Sequence, residues 1–389
     1  MLRVLFAAFA VLVVIALAAA CAPREPAVPP SPLASRAVLP PPAVALAPAF
    51  TADQGIAFEG SAFVAERRGG DLELRIDYGD GTVEAALPSP GGRVALRHTY
   101  RQAGARQLVL RASGPGGETV ARATVTVAPR YLVFVQGMNT ESACPAGKRF
   151  LDRAPAWLAP SLAQNPALDR SMILTKANFV YFSYSGRYCD GADGGPGAAP
   201  DYRMSDTCGP IATSAGPRLR ALLDSLPPGR VTIVAHSMGG LVSAWAVADD
   251  PAWARGRIAS VVTFDSPLGG VGNLRTDVLG LLSFTSDRCG PRSSAISDIA
   301  NGSDVIATAR QAALYVPFYT LDGTRDESQA LGLAEAVKSA DTSIPGERLH
   351  WQVDEEHSEV WSRAPTPLDE RDKGSFVACA ILDDPLCGQ

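Results

Sequence analysis

One serine, Ser237, stands inside VTIVAHSMGGLVSAWAVA, a stretch that begins as a continuous apolar run and ends with helical spacing. A hydroxyl is a weak nucleophile until a base takes its proton, and a bend between strand and helix leaves its oxygen within reach of base and substrate. Such a bend needs small neighbours, which Gly239 and Gly240 supply, and the helix start beyond it favours negative charge. The chain offers four histidines as bases, His98, His236, His350 and His357. Among the acids, Asp265 (VVTFDSPLGG), Asp322 and Asp326 (YTLDGTRDES) each follow or end an apolar run. These types together point to nucleophilic acyl transfer, with serine attacking, imidazole moving the proton and a carboxylate orienting the imidazole.

Such a set works only if the strands deliver it to one edge. Continuous apolar runs occur at residues 131–135, 179–183, 231–235, 258–264 and 316–321, with helix-period segments such as RLRALLDSL and QALGLAEAVKSA between several of them. Strands buried on both faces and alternating with helices predict a parallel α/β sheet over residues 130–389. A serine at the carboxyl end of such a strand lies on the ligand side of an open sheet.

The segment AHSMGG resembles the nucleophile elbow of the α/β-hydrolase superfamily, Gly-x-Ser-x-Gly with Ala235 in the first place, and the resemblance extends over residues 130–362. It implies an α/β-hydrolase fold with a mainly parallel sheet and an activity of lipase or esterase type, without a cofactor or metal. Family order, serine then acid then histidine, implies His357 in DEEHSEVW as the base and leaves His350 in LHWQV as a strand residue. It implies Asp326 as the acid, with Asp265 and Asp322 as alternatives. The oxyanion donors implied are the backbone N–H groups of Met238 and, through VFVQGMN, Met138. The segments 186–209 and 268–290 stand where such folds insert caps. In the second, Leu274, Val278, Leu281, Leu282 and Phe284 either line an acyl pocket or belong to the core.

Residues 49–129 are written differently. Alternating runs (Leu72, Leu74, Ile76; Leu108, Leu110; Val125, Val127) broken by Gly-rich turns predict a small N-terminal all-β sandwich of Ig-like type. Within it DYGDG (77–81) and HTYRQAGARQLVL (98–110) resemble the PKD domain, with Ile76 where that family has tryptophan and Arg106 where it has an aromatic. The resemblance implies a spacer, or a module that binds cell-surface polysaccharide or protein; Asp80 reads as a turn residue.

Residues 1–21 carry Arg3, an apolar stretch and three alanines before Cys21, an export signal. Cys21 resembles the lipidated cysteine of bacterial lipoproteins, which implies a membrane anchor; cleavage at Ala20 without lipid, or an uncleaved anchor helix, are the alternatives. Residues 22–48, rich in Pro and Ala, read as a tether. The remaining six cysteines suit disulfides in an exported chain, with Cys189–Cys208 and Cys379–Cys387 the pairings favoured. With formal charge −5 and no basic run, nucleic-acid binding is excluded as a reading. Two functions stay open: an exported serine ester hydrolase acting on esters, including lipids, or a non-catalytic surface-binding lipoprotein that works through its sandwich.

Overall fold

The computed structural model describes residues 40–65, 72–144, 171–271, 293–324, 340–355 and 373–383, together with positions 158, 161, 162, 165, 168 and 289. The described residues from Pro41 onward belong to one compact unit. The sandwich comprises β1 (Ala43–Leu46), β2 (Ala49–Asp53), β3 (Ala57–Ala65), β4 (Glu73–Asp77), β5 (Val83–Ala86), β6 (Arg93–Thr99), β7 (Gly104–Gly114) and β8 (Gly117–Ala128). One sheet runs β1-β3-β6 and the other β2-β8-β7-β4-β5. Alternation along the strands turns Phe58, Val64, Leu74, Ile76, Leu96 and Leu110 into a shared core. Strand β1 begins at Ala43, inside the stretch whose composition reads as tether. Asp80 holds the β4–β5 turn by accepting from the Thr82 amide, and its other oxygen meets His98 Nε2 at 2.7 Å.

The second part contains β9 (Arg130–Val135), β10 (Phe179–Tyr181), β11 (Arg187–Tyr188), β12 (Pro200–Asp201), β13 (Arg230–His236), β14 (Ile258–Phe264), β15 (Gly270–Val271), β16 (Phe318–Gly323), β17 (Ala340–Asp341) and β18 (Leu349–Val353). Six of these make the central sheet in the order β10-β9-β13-β14-β16-β18, every neighbouring pair parallel. The α-helices described are α1 (Gly216–Ser225), α2 (Met238–Asp249), α3 (Pro251–Arg257), α4 (Ser294–Ile299), α5 (Asp304–Ala309) and α6 (Lys373–Leu382). Residues of α1 to α5 pack against one face of the sheet and α6 against the other. All six residues of β9 are buried, as continuous apolar runs require when helices cover both faces. The result is a parallel α/β sheet with helices on both faces and a strand-to-helix bend at Ser237 after one of its central strands.

The two parts meet through a saturated amide. Gln54, 2% exposed, donates to the carbonyls of Arg101 (3.0 Å) and Ile173 (2.9 Å) and accepts from the Arg130 amide (3.2 Å) and Asn178 Nδ2 (3.1 Å). Arg130 starts β9, so the sandwich is docked at the strand-start edge, opposite the edge that carries Ser237.

Candidate active site

Ser237 follows the last residue of β13 and caps α2, with φ 54 and ψ −132. A non-glycine residue held left-handed stores about 1–3 kcal/mol of strain, which the surrounding bonds must offset. Here the Ser237 amide donates to Phe264 O on β14 at 3.0 Å, and its carbonyl accepts from the Gly240 amide at 3.0 Å. Gly239 is small because the β9 terminus passes over it: a Cβ there would lie 2.3 Å from Val135 O. Met238 occupies the first position of α2, so its N–H has no carbonyl within the helix to bond.

The loop after β9 lies directly on the serine. A Cβ on Gly137 would sit 2.6 Å from Ser237 Cβ and 3.0 Å from its Oγ, so Met138 follows a residue in van der Waals contact with the hydroxyl. Several bonds fix this loop. Tyr184 Oη donates to Gln136 O at 2.5 Å, and Thr140 Oγ1 to Gly137 O at 2.7 Å. The left-handed Asn139 donates through its amide to Thr207 Oγ1 (3.0 Å) and accepts from the Cys289 amide (2.8 Å). Disulfides Cys144–Cys189 and Cys208–Cys289 tie both insert segments to this edge. The expected Cys189–Cys208 pair is therefore corrected: the segment folds back on itself through the antiparallel pairing of β11 with β12, yet each cysteine has its partner outside 186–209, Cys189 with Cys144 and Cys208 with Cys289. Cys379 is disulfide-bonded, and Cys387 lies outside the described residues.

The acids follow in register. His236 pairs with Phe264 and Phe264 with Leu321, so Ser237, Asp265 and Asp322 occupy one row across three strand ends. Asp265 is 5% exposed, with φ 46 and its amide donating to Leu321 O at 2.7 Å. Asp322 meets His350 Nε2 through Oδ2 at 3.1 Å and accepts from Thr342 Oγ1, while its Oδ1 is buried without a hydrogen-bond partner. Burial pushes its carboxyl up to about 6, against the opposing pull of Thr342 and His350. His350 Nδ1 meets Thr320 Oγ1 at 2.7 Å, so both of its ring nitrogens have partners on β16. Sequence reasoning missed this Asp322–His350–Thr320–Glu347 cluster; its signal was the adjacency of two strands, β16 and β18, that only pairing reveals.

Asp326 and His357 lie outside the described residues, as do Leu274, Val278, Leu281, Leu282, Phe284 and Cys21. Asp326 comes two residues after Thr324, which bonds Val353 O at 2.8 Å, and His357 two residues after Glu355. Among the described residues no cluster suited to a metal ion occurs, and no helix is long and apolar enough to cross a membrane.

No protein-family model matches the chain, and no curated protein matches it. Among solved structures it is similar to a metagenomic carboxyl esterase (16% identity, TM-score 0.33, 66% of this chain and 72% of that one). It is also similar to an esterase of Pyrobaculum calidifontis (13%, TM-score 0.31, 72% and 85%). The sandwich is similar to the PKD domain of an M14-like peptidase from a Thermoplasmatales archaeon (22%, TM-score 0.20, 23% and 98%). Likenesses this distant assign no activity to the chain.

Proposed function

We propose that the protein is an exported serine hydrolase of carboxylic esters. The observation that carries this reading is Ser237 itself, held left-handed at the carboxyl end of a parallel strand with Gly137 packed on its hydroxyl. Strain at a residue with no chemical role would be selected against; at a nucleophile it lifts the oxygen toward substrate. His357 takes the Ser237 proton, Oγ attacks the ester carbon, and the Met138 and Met238 amides hold the oxyanion. Asp326 orients the imidazole, and water then releases the acid from the acyl-enzyme. Engagement of both His350 nitrogens supports His357 as base.

The same reading places the enzyme outside the cytoplasm, delivered by residues 1–21 and tethered through a lipid on Cys21; disulfides at the active edge suit an oxidising compartment. A fluorophosphonate probe tests the chemistry: labelling at Ser237, lost in Ser237→Ala, together with hydrolysis of p-nitrophenyl esters, is expected. Folded protein that neither labels nor turns over ester is instead a surface-binding lipoprotein working through its sandwich.

A further inference from the structure

Thr140 Oγ1 donates to Gly137 O at 2.7 Å and lies 3.2 Å from Tyr202 Oη. A hydroxyl has one proton to give, so the second contact runs the other way and Tyr202 donates to Thr140. Tyr202 is 1% exposed, and burial holds its phenol well above the ordinary tyrosine value, so the donor proton is present throughout the neutral range. The bonds form a directed chain, from Tyr202 to Thr140 to the Gly137 carbonyl.

That carbonyl shares a peptide with the Met138 N–H. In a planar trans peptide the two point in opposite directions, so the bond that pins the carbonyl toward Thr140 also fixes the N–H facing away from it. The groups on either side are engaged: Gln136 O accepts from Tyr184 Oη at 2.5 Å, and the Asn139 amide donates to Thr207 Oγ1 at 3.0 Å. Among the described residues the Met138 amide donates to no protein acceptor, which leaves it the spare donor of the turn. Linked hydrogen bonds also polarise one another, by about 10–30% per bond, so a carbonyl that accepts from a donating hydroxyl makes its own N–H a stronger donor.

The start of the chain of bonds lies in the 186–209 insert. Ser142 and Tyr202 exchange both backbone bonds, at 2.9 and 2.6 Å, and Ser142 Oγ donates to Pro200 O at 2.9 Å. Thr207, which holds Asn139, belongs to the same insert, and the Cys144–Cys189 disulfide joins the insert to the loop after β9. Tyr202 is itself held edge-on against Tyr184, with ring centroids 5.5 Å apart. We infer that Thr140 and Tyr202 are positioning residues for ester hydrolysis: they aim and strengthen the Met138 N–H for the oxyanion, and the 186–209 insert serves as the brace of this turn. The inference rests on the hydrolase reading above, in which Met138 supplies that donor, and neither hydroxyl is required to touch substrate.

Steady-state kinetics of the full chain on a short-chain p-nitrophenyl ester test it, beside inhibition by an alkyl boronic acid, whose tetrahedral adduct on Ser237 mimics the oxyanion. Thr140→Val removes the hydroxyl and keeps the branched shape; kcat is expected to fall about 10- to 100-fold with KM changed less than about threefold, and boronate affinity to fall with kcat. Tyr202→Phe, which leaves Thr140 in place, should lower kcat about 3- to 10-fold, and Thr140→Ser should restore most of the rate lost in Thr140→Val. A Thr140→Val enzyme with kcat within about twofold of wild type overturns the inference. So does a loss that follows Tm alone, with boronate affinity unmoved and Thr140→Ser no better than Thr140→Val, since that is the behaviour of a merely structural contact. Wild-type protein that neither hydrolyses ester nor labels with fluorophosphonate overturns the hydrolase reading itself, and this inference with it.

Discussion

Ser237 and Asp265 leave adjacent strands one residue after the registered pair His236 and Phe264, and both are left-handed, with φ 54 and 46. The Ser237 amide bonds the carbonyl just before Asp265, so the two bends brace each other. Two of the five described non-glycine residues with positive φ thus stand side by side at the carboxyl edge of the sheet.

Replacing Ser237 by alanine abolishes the nucleophile but keeps a Cβ at a positive φ. Ester hydrolysis is expected to fall by several orders of magnitude with Tm nearly unchanged. Ser237→Gly removes the same hydroxyl and also the conformational penalty, so it should be more stable than Ser237→Ala by about 1 kcal/mol in urea unfolding. Equal stability of the two variants counts against strain at this bend.

Gly137→Ala drives a methyl to 2.6 Å from Ser237 Cβ. Displacing the nucleophile and the adjacent Met138 amide should lower kcat by about 100-fold, with KM changed far less. Steady-state kinetics on a short-chain p-nitrophenyl ester separate the two parameters.

Lys373 begins α6, where the helix dipole disfavours a cation, and it is 2% exposed; its Nζ lies 2.7 Å from Glu355 Oε2. Removing the ammonium strands the buried Glu355 carboxylate, so Lys373→Met should cost about 3–5 kcal/mol in denaturant unfolding. The double variant Glu355→Leu with Lys373→Met should recover most of that loss, since an apolar pair has no charge to desolvate.

Asp322 has its folded carboxyl raised to about 6 from 3.8 by burial. Between these values the folded state holds a proton that the unfolded state has released, so Asp322's contribution is full below about pH 4 and is lost as pH rises to about 6, on the order of 3 kcal/mol. Urea midpoints from pH 4 to 7 should show this slope in the wild type and a flatter one in Asp322→Asn.

Cys208–Cys289 spans 81 residues and ends beside Asn139. Cys208→Ser with Cys289→Ser should lower stability by about 2–4 kcal/mol and slow turnover by loosening the loop after β9. A reductant titration followed by activity and Tm together would report both effects.

The apolar runs made the parallel sheet legible because buried strands must be continuously hydrophobic, and AHSMGG announced its bend because only small residues fit beneath β9. Period-two spacing likewise announced the sandwich, although β1 hid inside the Pro/Ala-rich stretch, where four residues carry too little pattern to read. The disulfide partners were illegible: Cys144 and Cys189, or Cys208 and Cys289, become neighbours only through loops gathered at one edge.

What the chain determined by itself was therefore local: which segments are strands or helices, and which serine stands at a bend. Pairing order was decided by the tertiary structure, and with it the row Ser237, Asp265, Asp322 and the contact of His350 with Asp322. The reason is physical. Periodicity records how one segment meets solvent and core, whereas contacts between side chains far apart in sequence arise from sheet register, which no single segment encodes.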